Sequence, residues 1–206
     1  MLMRIGIRIG RKTLTLIMAA KLPDRVVMVS DSLACMDDIV VPPFGSKIDI
    51  VGSYLIGVSG NLAYAQEYVR QATLLESSHD LFDPATQRKI QARLFALSHI
   101  EGVKGIDGTE EGYIPPLAAI IARGKCVVKA TVDGLPFESD YFAVGSGDRV
   151  AYNHMYFEIR DTHRCAEDLV AALVAIGRKT AATDTSVGGP FFWADTSELA
   201  VWMYPE

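Results

Sequence analysis

The sequence predicts an α+β domain in which two stacked antiparallel sheets are each covered on the outer side by a pair of helices. Three observations lead there. Short apolar runs come in pairs joined by tight turns, helical stretches come two at a time between groups of strands, and 50% of the residues are hydrophobic against 22% charged. Helices alternating singly with strands would indicate a doubly wound parallel sheet, and paired helices do not. The apolar excess over an average soluble domain asks for several buried layers or a large subunit interface. At 206 residues the chain fits one such domain.

The elements follow in order. "TLIMAA" at 15–20 and "RVVMVS" at 25–30 flank the turn signal "KLPD", and read as a buried hairpin. "KIDIV" at 47–51 and "YLIGVSG" at 54–60, joined around Gly52 and Ser53, read as a second. From Asn61, a plausible N-cap, Leu62, Ala65, Tyr68, Val69, Ala72 and Leu75 recur at spacings of three and four, which is a helix. The next helix starts with Asp83 as N-cap and Pro84 in the first turn, and ends before Gly102. The polar, Gly-rich stretch 104–112 is expected to be a loop and the best candidate for disorder.

Strands return in "LAAIIAR", "CVVKATVD" and "YFAVGSG". Two helices are expected from Asp148 to Ile159 and from Cys165 to Thr183, the second with Ala171, Val174, Ala175 and Arg178 at helical spacing. Strand-like runs around a turn at Asp195 to Ser197 complete the chain.

Composition narrows the function. The formal net charge is −5, and no cluster of Lys and Arg is interleaved with aromatics, which points away from nucleic acid. Cys35, Cys126 and Cys165 are too widely spaced for a zinc site and fit a reducing compartment. The N-terminal stretch lacks the continuous apolar run of a secretory signal, and no window is apolar enough for a membrane span. A cytoplasmic protein without a structural metal is expected.

Thr15, Asp31 and Lys47 lie at successive intervals of sixteen residues, each about one strand, one turn and one strand. Three strand ends can therefore lie side by side. A threonine hydroxyl is a weak nucleophile until a base takes its proton, and a carboxylate can hold a lysine where it tunes that step. The same residues also suit a plain ion pair beside a strand start. "GVSGN" at 57–61 and "GSGD" at 145–148 are strand-to-helix turns, and Gly60 can present a backbone N–H to an oxyanion. His79, His99, His154 and His163 lack matching partners and receive no role.

With "TLIMAAKLPDRVVMVSDS", "GSKIDIV", "IGVSGNLAYAQ", "FAVGSGD" and "DTSVGG" in this order, residues 13–193 resemble the proteasome β-subunit and HslV-type peptidases, which are N-terminal-nucleophile (Ntn) hydrolases. The resemblance implies a four-layer αββα sandwich and a threonine-type peptidase without cofactor. It places Thr15 on the nucleophile, Asp31 on the carboxylate paired with the catalytic lysine, and Lys47 on that lysine. Allowing one deletion, Gly60 falls on the oxyanion donor, and Ser146 and Asp184 on the residues supporting the threonine's amino group. Cys35 falls on the substrate-aligning segment, with Ala34, Val58 and Leu62 near a specificity pocket favouring an uncharged, apolar side chain. Implied partners are polypeptide substrates, identical subunits in a closed ring, and an ATP-dependent unfoldase.

The chain departs from the family pattern twice. Val187 stands where many active members carry a second supporting serine, with Thr185 and Ser186 as neighbours that could substitute through a local shift. Leu14 also precedes Thr15, so residues 1–14 are expected to be a leader that must be removed before the α-amine exists, with 15–206 as the domain proper. Thr13 is the other candidate nucleophile, but the ungapped spacing to Asp31 and Lys47 favours Thr15. A silent scaffold that never frees the threonine, and an amidase for a small non-peptide amide, remain as alternatives.

Overall fold

The computed structural model describes residues 15–36, 39–41, 45–97, 117–131, 136–159 and 165–205. β1 (Leu16–Lys21) and β2 (Val26–Ser30) form the expected hairpin, with Ile17 opposite Ser30 and Lys21 opposite Val26. β3 (Ala34–Met36) and β4 (Ile39–Val41) pair as a separate short ribbon that the sequence pattern did not resolve. β5 (Ile48–Val51) and β6 (Tyr54–Ser59) form the second hairpin, followed by α1 (Leu62–Leu75) and α2 (Pro84–Leu97). Next come β7 (Ala118–Arg123), β8 (Cys126–Thr131), β9 (Phe137–Glu138) and β10 (Tyr141–Gly145). α3 (Asp148–Glu158), α4 (Ala166–Thr183), β11 (Phe192–Asp195) and β12 (Val201–Met203) complete the order. The stretch 104–112 lies outside the described residues.

Two five-stranded antiparallel sheets result, ordered β10-β1-β2-β11-β12 and β5-β6-β7-β8-β9. Strand alternation assigns the core to three layers. Ile17, Ala19, Val26, Met28, Leu55 and Ile120 pack between the sheets. Leu16, Met18, Val27 and Val29 face α3 and α4, where they meet Met155, Leu169, Leu173 and Ile176. Ile56, Ala119 and Ile121 meet Tyr64, Tyr68 and Ile90 of α1 and α2 on the far side. The predicted α+β, αββα class is the fold observed. At Gly57 a Cβ would lie 2.7 Å from Ile17 and 3.1 Å from Met28 of the opposing sheet, so only a bare α-carbon lets the sheets approach there.

Local chemistry explains the helix starts, and packing corrects one residue of the first helix face and most of the last. The Asn61 side chain accepts the Ala63 N–H at 2.9 Å, and Asp83 accepts that of Ala85 at 3.2 Å, so both expected caps form. In α1 the predicted stripe holds for Tyr68 and Ala72, which are buried, and for Ala65, Val69 and Leu75, which pack against the same core; only its first residue, Leu62, is open, at 57% exposed, while Tyr64 and Gln71 join the buried face. In α4, Ala171, Ala175 and Arg178 are exposed while Leu169, Val170, Leu173, Val174, Ile176, Gly177 and Thr180 are buried. Small or aliphatic-stemmed residues satisfied the spacing on more than one face, and the larger branched side chains took the interior. The final turn begins after Asp195, whose carboxylate accepts the N–H groups of Ser197 and Glu198.

Candidate active site

The antiparallel registers bring four chain segments to one end of the sandwich. Leu16 pairs with Gly145, Ile17 with Ser30, and Ser30 with Phe192, so Thr15, Asp31, Ser146 and the loop before β11 share an end of the first sheet. Ile48 pairs with Gly57, which sets Lys47 and Gly60 at one end of the second sheet. Hydrogen bonds join the two ends: the Lys47 ammonium donates to Asp31 Oδ1 at 2.6 Å, and the Lys47 backbone N–H to Ser30 Oγ at 3.3 Å. The convergence expected of Thr15, Asp31 and Lys47 is therefore present.

Asp31 is the hub. It accepts the Leu16 N–H at 2.9 Å on Oδ1 and the Gly188 N–H at 3.3 Å on Oδ2, while its own N–H donates to the Leu16 carbonyl at 3.0 Å. Its side chain is fully shielded, and that of Lys47 is 15% exposed. Burial pushes the Asp31 carboxyl above the usual carboxylate range, against the opposing pull of the Lys47 ammonium and the two backbone donors. The charge stays tolerable inside the protein because lysine and amides surround it.

A second chain of contacts runs from the other side of Thr15. The Thr15 N–H donates to Ser146 Oγ at 3.4 Å, Ser146 Oγ lies 2.6 Å from Ser186 Oγ, and Ser186 Oγ donates to the Asp184 carboxylate. The Ser186 N–H also reaches Asp184, at 2.9 Å. Proton counting fixes the direction. Ser186 has one hydroxyl hydrogen and gives it to a carboxylate that can only accept; of the two acceptors in reach of the Ser146 hydroxyl, Ser186 Oγ at 2.6 Å and the Thr15 carbonyl at 3.4 Å, the nearer then takes its hydrogen, and a lone pair is left for the Thr15 nitrogen. The row of hydroxyls is polarised with its oxygen lone pairs toward that nitrogen.

Backbone geometry builds this corner. Gly145 sits at φ +118°, where a Cβ would fall 1.9 Å from the Thr15 carbonyl oxygen, so glycine lets the β10 turn press against the start of β1. Val187 is 3% exposed and packs with the helix-side core near Gly147. The local shift leaves Ser186, and not residue 187, facing Ser146. Asp184 is consequently connected to the Thr15 nitrogen through two serines.

The remaining expected residues are placed unevenly. Gly60 follows β6 directly, at φ +145°. Ala34 and Cys35 lie in β3 opposite Val41 and Val40, with their side chains outside the described part of the structure. Val58, expected at a specificity pocket, is 8% exposed and packs in the core beneath α1 and α2; Leu62 stands open in the first turn of α1. The alternation of β6 explains the difference, since Tyr54, Ile56 and Val58 share one face. His79 contacts Ser78 and Lys89, and His154 contacts Glu158, while His99 and His163 lie outside the described residues.

Two anchors were not anticipated, Ser30 beneath Lys47 and Gly188 on Asp31. The sequence signal for the second was "VGG", two glycines directly after a turn. Among the described residues no group of His, Cys, Asp and Glu is arranged to hold a metal, and no helix is long and apolar enough to cross a membrane.

No protein-family model matches the sequence, and no curated protein matches it. Solved structures do. HslV from Trypanosoma brucei superposes with a TM-score of 0.67 at 15% identity, over 88% of this chain and 98% of that one. BPH from Thiobacillus denitrificans, solved in complex with epoxomicin, gives 0.63 at 18% identity, over 88% and 97%. At such identities the likeness is one of fold, and it spans nearly the whole of both neighbours: this chain is built on the sandwich of HslV.

Proposed function

We propose that the chain is a threonine-type peptidase of the HslV and proteasome β-subunit kind, with Thr15 as nucleophile once residues 1–14 are removed. The observation that carries this is the setting of Thr15 between the Lys47–Asp31 pair and the polarised Ser146–Ser186–Asp184 row. A freed α-amine has a pKa of about 8, suited to accepting the hydroxyl proton near neutrality. The Thr15 oxygen bonds to the amide carbonyl carbon, its proton passes through the amine to the departing nitrogen, and the C–N bond breaks to leave an ester. Water then cleaves the ester to a carboxylate and restores the hydroxyl. The Gly60 N–H is assigned to the oxyanion. Lys47, held by Asp31, supplies positive charge beside the hydroxyl as its proton leaves.

Assembly into a ring of identical subunits, polypeptide substrates and an ATP-dependent unfoldase partner belong to the same proposal, supported by the shared fold. A silent scaffold is the competing reading, because in the intact chain the Thr15 nitrogen is an amide and has no basic lone pair. Intact-mass measurement separates the two. Loss of residues 1–14, abolished in Thr15→Ala, together with labelling of Thr15 by epoxomicin, is expected of the peptidase. A chain that stays full length and unlabelled would sink it.

Ser186→Ala is expected to lower kcat by about a hundredfold, because Ser146 loses the acceptor that orients it toward the Thr15 nitrogen. Val187→Ser should leave kcat near the parent value and instead lower stability by about 1–3 kcal/mol, since it buries a hydroxyl in the helix-side core. Steady-state kinetics alongside thermal melting distinguishes these outcomes.

A further inference from the structure

The loop that holds Asp31 and Ser146 also forms the wall of a separate pocket. Gly188, Gly189, Pro190 and Phe191, with Arg178 and Ala181 of α4 and with Tyr204, line a half-open hollow of about 310 Å³; neither Thr15, Asp31, Lys47 nor Ser146 lines it. Phe191 is 5% exposed, its ring packed over the bare Gly177 of α4, and its carbonyl accepts the Tyr204 N–H at 2.8 Å. The apolar floor is therefore fixed from two sides.

Charge in the pocket has one sign. Arg178 lies 5.9 Å from the Tyr204 ring, and no carboxylate pairs with it among the described residues, whereas neighbouring Lys179 is bound to Glu158 at 2.7 Å. Asp184, at the head of the loop, is turned to Ser186. A guanidinium beside the Tyr204 ring, in a hollow that Phe191 also lines, suits a flat body bearing an anionic group. The volume is near the lower end for ligand pockets, which limits the occupant to a small molecule.

The glycine wall gives the occupant a route to the threonine site. Gly188 donates to Asp31 and accepts the Ser32 N–H at 3.3 Å, and the Ser32 hydroxyl, close to the Gly189 α-carbon, is buried without a hydrogen-bond partner among the described residues. Two consecutive glycines at φ +153° and +76° carry no side chains that would wedge this wall in place. We propose that the pocket binds a small carboxylate with a flat apolar body, and that its occupant braces the loop through which Gly188 and Ser186 reach Asp31 and Ser146. What the bracing serves rests on the peptidase reading; the binding itself does not.

Phenylacetate is the probe, titrated into the full chain by calorimetry, with hydrogen exchange followed across 184–191. Saturable single-site binding is expected, weakened about tenfold by Arg178→Met and about tenfold when phenylacetamide replaces the carboxylate. Thr15→Ala should bind as the parent does, so loss of the nucleophile and loss of the pocket give different results. Exchange at 184–191 should slow on saturation. Absence of saturation, equal binding by Arg178→Met at unchanged melting temperature, or unchanged exchange at 184–191 overturns the proposal.

Discussion

Lys47→Met is expected to lower folding stability by about 3–5 kcal/mol at pH 8, and by less as the pH falls. The substitution leaves a fully shielded Asp31 carboxylate with two backbone donors and without its ammonium partner. Asp31 already has its carboxyl raised by burial, and removing Lys47 raises it further. An acid whose folded pKa exceeds its unfolded value lowers stability above the folded pKa, and that loss is relieved as the pH drops through it. The melting-temperature gap between parent and variant should therefore be widest at pH 8 and shrink toward pH 5. A gap independent of pH would mean that the Asp31 charge is not what the lysine balances. Asp31→Asn combined with Lys47→Met should recover most of the loss, because the buried charge is then absent.

Gly145→Ala is expected to cost on the order of 4 kcal/mol and to abolish labelling of Thr15. At φ +118° an alanine is strained, and its Cβ would meet the Thr15 carbonyl at 1.9 Å. Neither side can yield cheaply, because Leu16 and Gly145 are paired across β1 and β10. Gly124→Ala supplies the contrast. It lies at φ +55° with nothing within 4 Å of the added carbon, so only about 1 kcal/mol of backbone strain is expected. Chemical denaturation of both variants measures the difference; equal losses would show that crowding at Thr15 is not the cause.

The strand framework was legible because continuous apolar runs on either side of "KLPD" leave few alternatives to a buried hairpin. Thr15, Asp31 and Lys47 were legible for the same reason: a strand has a fixed rise, so equal intervals across hairpins return to the same end. Helix faces were less so. The stripe through Ala171, Ala175 and Arg178 met the helical period, but larger residues at 169, 170, 173 and 176 occupied the interior. Val58 was misplaced by its nearness in sequence to Gly60, when the strand's alternation turned it toward the helices. Ser186 was visible only as a neighbour of Val187. Which of them faces Ser146 depends on how the loop leaves α4, and no sequence period encodes that. Gly188 contributes through its amide, which every residue but proline carries, so nothing in its side chain marked it.

β1 has a bearing on motion. Leu16 through Ala20 are wholly inaccessible to solvent, with paired strands on both edges and side-chain layers on both faces. Amides so placed exchange only when the whole domain opens. Thr15 adjoins a strand shielded on every side, and its backbone is expected to fluctuate little more than the core does. Heating should leave its position undisturbed until the domain melts, and reactivity at Thr15 should then vanish over the same few degrees as the near-ultraviolet signal of Trp193 and Trp202, stacked across β11 and β12 in the same sheet.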